Sequence, residues 1–192
     1  QWNNTGTYGA TLFGVADYDF GVPTAPGEYT HLVFVSDANS TTLFVNGVEA
    51  GSVPAAISLS GKVGIGYGAQ AEDGSAFFDD FDGSIFGVAI YDEALSAADI
   101  EENAAAFLNP IAISDPNLVG WWTFDNVENG IVADQSGHSN FGVVNGNLQL
   151  VNVGGNIAAE FDGATSYVDI SPSAWATIDT EASLAFWTYI DS

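Results

Sequence analysis

Carboxylates carry most of the chemistry this sequence can offer. The stretch FDDFDGS from Phe78 sets Asp79, Asp80 and Asp82 at the start of a β-like run. Side chains alternate along a strand, so Asp80 and Asp82 share one face and Asp79 takes the other. Asp82-Gly83 and Asp162-Gly163 each precede a strand-like run. There a carboxylate and adjacent carbonyls can converge on a hard cation such as calcium. In ADQSGHSN, Asp134 and Asn140 fix a turn, through backbone hydrogen bonds or through a calcium ion. A further acidic cluster, Gln70, Glu72 and Asp73, lies in the loop GAQAEDGSAFF. Its plain alternative is an exposed polar loop, and that of the aspartates is a solvated acidic rim.

Other chemistries are poorly supplied. There is no cysteine, which removes disulfides and thiolate metal sites. Neither His31 nor His138 has the nucleophile context of a catalytic triad. His31 reads as structural and His138 as a surface residue.

The charge balance narrows the partners. One cation, Lys62, stands against 25 acids among 192 residues, a formal net charge of −24. Such a surface repels phosphate backbones and anionic membranes, so no nucleic-acid partner is expected. Self-repulsion of this size calls for compensating cations, divalent metal or high salt. No run of about 18 apolar residues is present to span a bilayer, so no membrane insertion is expected. No basic-then-apolar leader opens the sequence, which places any export signal outside it.

The elements that must position these carboxylates are strands. With 47% hydrophobic residues and 13% aromatics the core is ample. Its apolar runs are short, rich in Val, Ile, Phe and Tyr, and separated by turn residues. That pattern predicts an all-β, antiparallel β-sandwich. Strands are expected at 8–16, 29–36, 41–45, 62–67, 84–91, 118–124, 157–161, 167–170 and 183–190. Asn46-Gly47 and Asn145-Gly146 suit tight hairpin turns, since both central positions accept positive φ. One short helix is expected after Ser96, where Ser96 and Asp99 form a capping box ahead of SAADIEENAAAF; Pro110 ends it. Trp121 and Trp122 are adjacent and should face opposite sides, leaving one able to reach solvent or a ligand face.

Several segments carry a family resemblance. GEYTHLVFVSDANSTTLFVNGVEAG resembles the central hairpin of laminin-G-like, concanavalin A-type jelly rolls. KVGIGYG with FDGSIFGVAIYDEALSAADI resembles their closing strands and terminal helix. LVGWWTFDNVENGIVADQSGHSNFG resembles their opening strand and its following turn, and AAEFDGATSYVDI and ASLAFWTYI resemble the next strands. The order is rotated. Residues 1–110 resemble the second half of such a domain, 111–117 read as a linker, and 118–192 resemble the first half. The resemblance therefore implies one jelly roll in circularly permuted order, with the strand at 118–124 beside the strand at 84–91. Halves exchanged between two chains, a strand-swapped self-association, are the alternative.

The resemblance also implies a function. Pentraxins share this jelly roll and bind calcium, which contacts ligand, in a Gln/Glu/Asp-rich loop placed like Gln70, Glu72 and Asp73. Their partner asparagine falls near Asn4. Tyr67 and Phe77 flank the loop and would offer an apolar wall to a sugar ring. Together with the Asp-Gly stretches and the Asp134/Asn140 turn, the candidate metal ligands are Gln70, Glu72, Asp73, Asp82, Asp134, Asn140 and Asp162. The implied ligand-binding residues are Asn4, Tyr67, Gln70, Glu72, Asp73 and Phe77. The expected function is calcium-dependent binding, of carbohydrate first and extracellular protein second, in a secreted or cell-surface protein such as a bacterial adhesin. A calcium-rigidified spacer without ligand is the alternative. Glycoside hydrolysis is disfavoured: retaining enzymes need two carboxylates about 5–5.5 Å apart. The related glucanases supply them as E-x-D-x-E, whereas Glu160-Phe161-Asp162 runs on into Gly163 with no third acid. The expectation is a binding module, not an enzyme.

Overall fold

The computed structural model describes residues 6–12, 16–56, 64–66, 81–108, 115–176, 178 and 180–191. Alternating apolar residues build a first run of strands: β1 (Thr7–Leu12), β2 (Ala16–Pro23), β3 (Tyr29–Ser36), β4 (Thr41–Val45), β5 (Val48–Val53), β6 (Gly64–Ile65) and β7 (Asp82–Tyr91). The helix α1 (Ala97–Leu108) follows. Beyond it lie β8 (Leu118–Glu128), β9 (Ile131–Asp134), β10 (Gly142–Asn145), β11 (Gln149–Val153), β12 (Asn156–Asp162), β13 (Tyr167–Ile170), a 3-10 turn at Pro172–Trp175, and β14 (Ala182–Ile190).

All the pairings between these strands are antiparallel. The long sheet runs β5-β4-β3-β14-β7-β8-β9-β10-β13-β6, while β1 and β2 pair as a separate ribbon. β14, late in the chain, inserts between β3 and β7 along nearly its whole length. The other edge of β7 is shared: β12 pairs with its first residues and β8 with its last. The two halves of the sequence are thus interleaved strand by strand, and the expected neighbours at 84–91 and 118–124 do pair.

One face of the central strands is the sandwich interior. There Val88, Ile90, Trp122, Phe124, Phe161 and Val168 form one cluster, and Tyr8, Phe20, Leu32, Leu43 and Val53 another beneath the β1–β2 ribbon. The opposite face carries α1, whose Ile100 packs on Val33, Ala89, Tyr91, Trp121 and Ala185. The capping box is formed: Asp99 N–H donates to Ser96 Oγ at 3.3 Å, and Ser96 N–H to Asp99 Oδ2 at 3.1 Å. Asn103 Nδ2 donates to the buried Tyr91 hydroxyl at 3.0 Å, pinning the helix to the sheet. Among the described residues no helix is long and apolar enough to cross a membrane.

Local expectations fare unevenly. Asn46 and Gly47 take φ of 52° and 84° and close the β4–β5 hairpin. Asn145-Gly146 closes no hairpin, because β10 pairs with β13 and β9 while β11 pairs with β12. Gly146 is needed there for another reason: a Cβ would stand 2.2 Å from the Thr165 carbonyl oxygen. Tight turns that were not expected form at Asn129-Gly130 between β8 and β9, and at Gly154-Gly155 between β11 and β12. Of the strand expected at 8–16, β1 covers the part to Leu12, residues 13–15 lie outside the described residues, and Ala16 opens β2, an unexpected strand that pairs antiparallel with β1. Of the strand expected at 62–67, the described part pairs only at Gly64 and Ile65. Trp121 and Trp122 do take opposite faces, but both are buried, under α1 and in the sandwich interior. Neither reaches solvent, because a layer covers each face of β8.

Candidate functional site

The outer face of the long sheet, which carries α1, also carries rows of aromatic and acidic residues. Strand register sets the residues out in rows. Tyr29 of β3 lies opposite Tyr189 of β14, Tyr189 opposite Ser84 of β7, and Ser84 opposite Glu160 of β12. One step along, Asp82 lies opposite Asp162. Residues directly opposite in an antiparallel pair project to the same side, and residues two apart do too. Asp82, Ser84, Glu160 and Asp162 therefore share the outer face with Tyr189 and Tyr29, while Ile85, Ala159 and Phe161 point into the interior.

The aromatic part of this face is a packed trio. Tyr29 sits 5.1 Å from Phe86 and 5.4 Å from Tyr189, ring centre to ring centre, in tilted geometry. All three rings are half-buried. Burial, with the neighbouring Tyr189, pushes the Tyr29 phenol above its ordinary pKa. The next row holds His31 and Trp187, with ring centres 5.0 Å apart. His31 is fully buried, and burial lowers its pKa to about 4, so it is neutral at pH 7. It is a core residue, as the sequence suggested. His138 is exposed and contacts Ser136.

The acidic part is built on Asp82-Gly83, the first residues of β7, and on the turn that Asp162-Gly163 opens after β12. Asp162 Oδ1 accepts from the N–H groups of Ala164, Thr165 and Ser166 at 3.1, 2.7 and 2.9 Å, and from the Ser166 hydroxyl at 2.8 Å. Its Oδ2 accepts from the Thr165 hydroxyl at 2.6 Å. The Thr165 hydroxyl, then the Thr165 and Ser166 N–H groups, hold this carboxyl well below the usual carboxylate range. Among the described residues none donates a hydrogen bond to Asp82, whose side chain is exposed beside Gly163. Gly163 N–H donates to Phe81 O at 3.1 Å and Phe81 N–H to Gly66 O at 3.0 Å. Gly66 fits only as glycine: φ is 89°, and a Cβ would stand 2.1 Å from the Phe161 ring.

Gly66 and Phe81 bracket the segment that carries Tyr67, Gln70, Glu72, Asp73 and Phe77. These five and Asn4 lie outside the described residues. The two ends of that segment are hydrogen-bonded to each other, and Asp82 and Asp162 stand at its base.

Asp134 and Asn140 serve their turn through hydrogen bonds. Asp134 Oδ1 accepts from Trp121 and Ser136 N–H at 3.0 and 2.9 Å, and Oδ2 from Asn140 N–H at 2.9 Å. Buried Asn140 donates to Val119 O at 2.9 Å and accepts from Ser173 Oγ at 2.8 Å. These residues lie apart from Asp82 and Asp162 in the strand order. Among the described residues no three His, Cys, Asp or Glu side chains converge tightly enough to hold one metal ion. Asp82 and Asp162 supply two carboxylates, to which further oxygens must be added for the six to eight that calcium takes.

The sequence reading missed Tyr29, Phe86 and Tyr189 as members of the site. The signal was alternation along β14, where Ala185, Trp187 and Tyr189 fall on one face. Their proximity to the aspartates needed the β14–β7–β12 pairing.

A family model described as the concanavalin A-like lectin/glucanases superfamily matches residues 1–101, more than half of the 192-residue chain. No curated protein and no solved structure matches it.

Proposed function

We propose that this chain, which belongs to the concanavalin A-like lectin/glucanases superfamily, is a calcium-dependent carbohydrate-binding module of a secreted or cell-surface protein. Family membership supports a carbohydrate-binding or structural module in general. The observation that carries the finer reading is the row Tyr29–Tyr189–Ser84–Glu160 beside the Asp82–Asp162 pair. Sugar rings present C–H patches to aromatic faces and hydroxyls to carboxylates or to a calcium with open positions. Both kinds of partner stand here on one sheet face, at the base of the segment with Gln70, Glu72 and Asp73.

Calcium also answers the charge problem. A formal net charge of −24 strains any compact state, and two carboxylates in register add a local repulsion. A cation bound only by the folded chain stabilises it by about 2.7 kcal/mol at a hundredfold excess over Kd. The test is thermal melting in millimolar calcium and in chelator at matched ionic strength. A clear rise with calcium supports the reading, and an unchanged midpoint contradicts it.

The module recognises rather than hydrolyses in this reading. Of the two carboxylates on β12, Asp162 is committed to its turn, and no third acid follows it at strand spacing. A calcium-rigidified spacer is the second reading, favoured by the −24 charge alone. It predicts calcium stabilisation without glycan binding. The permuted strand order is part of the proposal, with 118–192 preceding 1–110 in the order of the family's domain.

A further inference from the structure

Away from the acidic face, the sandwich interior has an opening of its own. Among the described residues the β1–β2 ribbon is a separate sheet that pairs with none of the strands of the long sheet, which leaves a break in the second layer there. At this break a cleft of about 250 Å³ lies between β1 and the inner face of β3, β4 and β14. Gly9, which has no side chain, and Ala10, with a single methyl, form one wall of the space. Phe34 and Phe186, stacked with ring centres 5.8 Å apart, and Leu184 form the other. The polar groups are Ser36 and Thr41, whose hydroxyls bond to each other at 3.1 Å; Thr41 also donates to Ala55 O at 2.8 Å.

We propose that this cleft binds a small, neutral, apolar ring compound, of about phenol to indole size. Volume sets the size: an apolar cavity of about 150 Å³ accepts benzene, so the present space admits a somewhat larger ring. The hydroxyls of Ser36 and Thr41 are engaged with each other and with Ala55 O, so the lining favours a ligand that is apolar throughout or carries a single weakly polar atom. A hexose does not fit this lining. Its several hydroxyls would be desolvated against Phe34, Leu184 and Phe186 with almost no partners, which disfavours entry. An anionic ligand is opposed by the net charge of −24. The site therefore takes a different ligand class from the acidic outer face, and it does not rest on the carbohydrate reading.

The test is a titration of the full chain with indole, and separately with glucose, followed by methyl and aromatic NMR shifts. Indole should produce saturable shifts centred on the Leu184 methyls, Ala10 and Ala182. Glucose should leave those signals in place. Ala10→Leu, which fills the wall side of the cleft, should weaken indole binding by at least about tenfold, while Ala10→Ser retains it. The titration of the unmodified chain stands alone if Ala10→Leu fails to fold. Absence of saturable indole shifts, equal binding by a folded Ala10→Leu variant, or glucose acting on the same methyls would overturn the proposal.

Discussion

Asp82 and Asp162 face each other in register across the β7–β12 pair, and among the described residues hydrogen-bond donors surround only Asp162. Asp162 is held by Ala164, Thr165 and Ser166, whereas Asp82 is exposed beside the Gly163 backbone. Asp162 organises its turn, whereas Asp82 is exposed and, among the described residues, accepts no hydrogen bond.

That asymmetry predicts a change of sign. Like charges directly opposite on a sheet cost up to about 1 kcal/mol. In chelator, Asp82→Asn should therefore melt at or slightly above the temperature of the unmodified chain. In millimolar calcium the order should reverse, because the variant loses part of the calcium-dependent gain. Parallel melting curves in both buffers would remove Asp82 from any cation site.

Asp162→Ala should lower the melting temperature with or without calcium, since three backbone N–H groups and two hydroxyls lose their acceptor. The acid limb carries the same signature. The folded pKa is depressed, so the stabilisation is complete above the unfolded value near 3.8 and is lost as pH falls below it. Melting scans from pH 7 to pH 2 should show that the variant lacks this loss.

His31 predicts a different pH window. Its folded pKa is lowered to about 4 by burial, against an ordinary value of 6.5. Between those values the unfolded chain binds a proton that the native chain refuses. Stability should fall as pH drops from 6.5 to about 4, by about 3 kcal/mol in total, and then cease to depend on this group. His31→Phe keeps an aromatic ring against Trp187 and removes the titration. Urea unfolding at intervals of pH should give a flatter profile for the variant; identical slopes would show that His31 is protonated without cost.

The strands with the clearest apolar alternation were legible: β3, β4, β7, β13 and β14 fall close to where their residues predict them. β9, β10 and β11 were not. They are four or five residues long and carry Asp, Asn and Gln, and exposed Ile131, Val143 and Leu150 blur their alternation. β2 was not legible beyond its first residue, Ala16, because ADYDFGVP mixes acids with apolar residues and ends in proline. At the site, the likeness of DFDG to EFDG was visible, but not that the two stretches pair in register. Strand pairing over long sequence separation is decided by the packing of whole layers, which local pattern does not encode.

The interleaving of the two halves predicts tolerance to a new chain order. Thr24 N–H donates to Gly6 O and Gly27 N–H to Ile190 O, so residues near both ends hold to one short loop. A chain starting at Ile113, running through Ser192 and a short Gly/Ser linker to Gln1 and ending at Ala112, should fold as a monomer of comparable stability. Size-exclusion chromatography and melting check this. An insoluble or domain-swapped product would contradict the permuted reading.

Calcium-dependent carbohydrate recognition is tested most directly on a glycan array, with the unmodified chain and a Glu72→Ala/Asp73→Ala variant, each in calcium and in chelator. Binding by the unmodified chain in calcium alone, lost in a variant of near-unchanged melting temperature, is the predicted result. Binding that persists in chelator, or no binding to any glycan by a chain that calcium nonetheless stabilises, would contradict it, and the second outcome would identify a structural spacer.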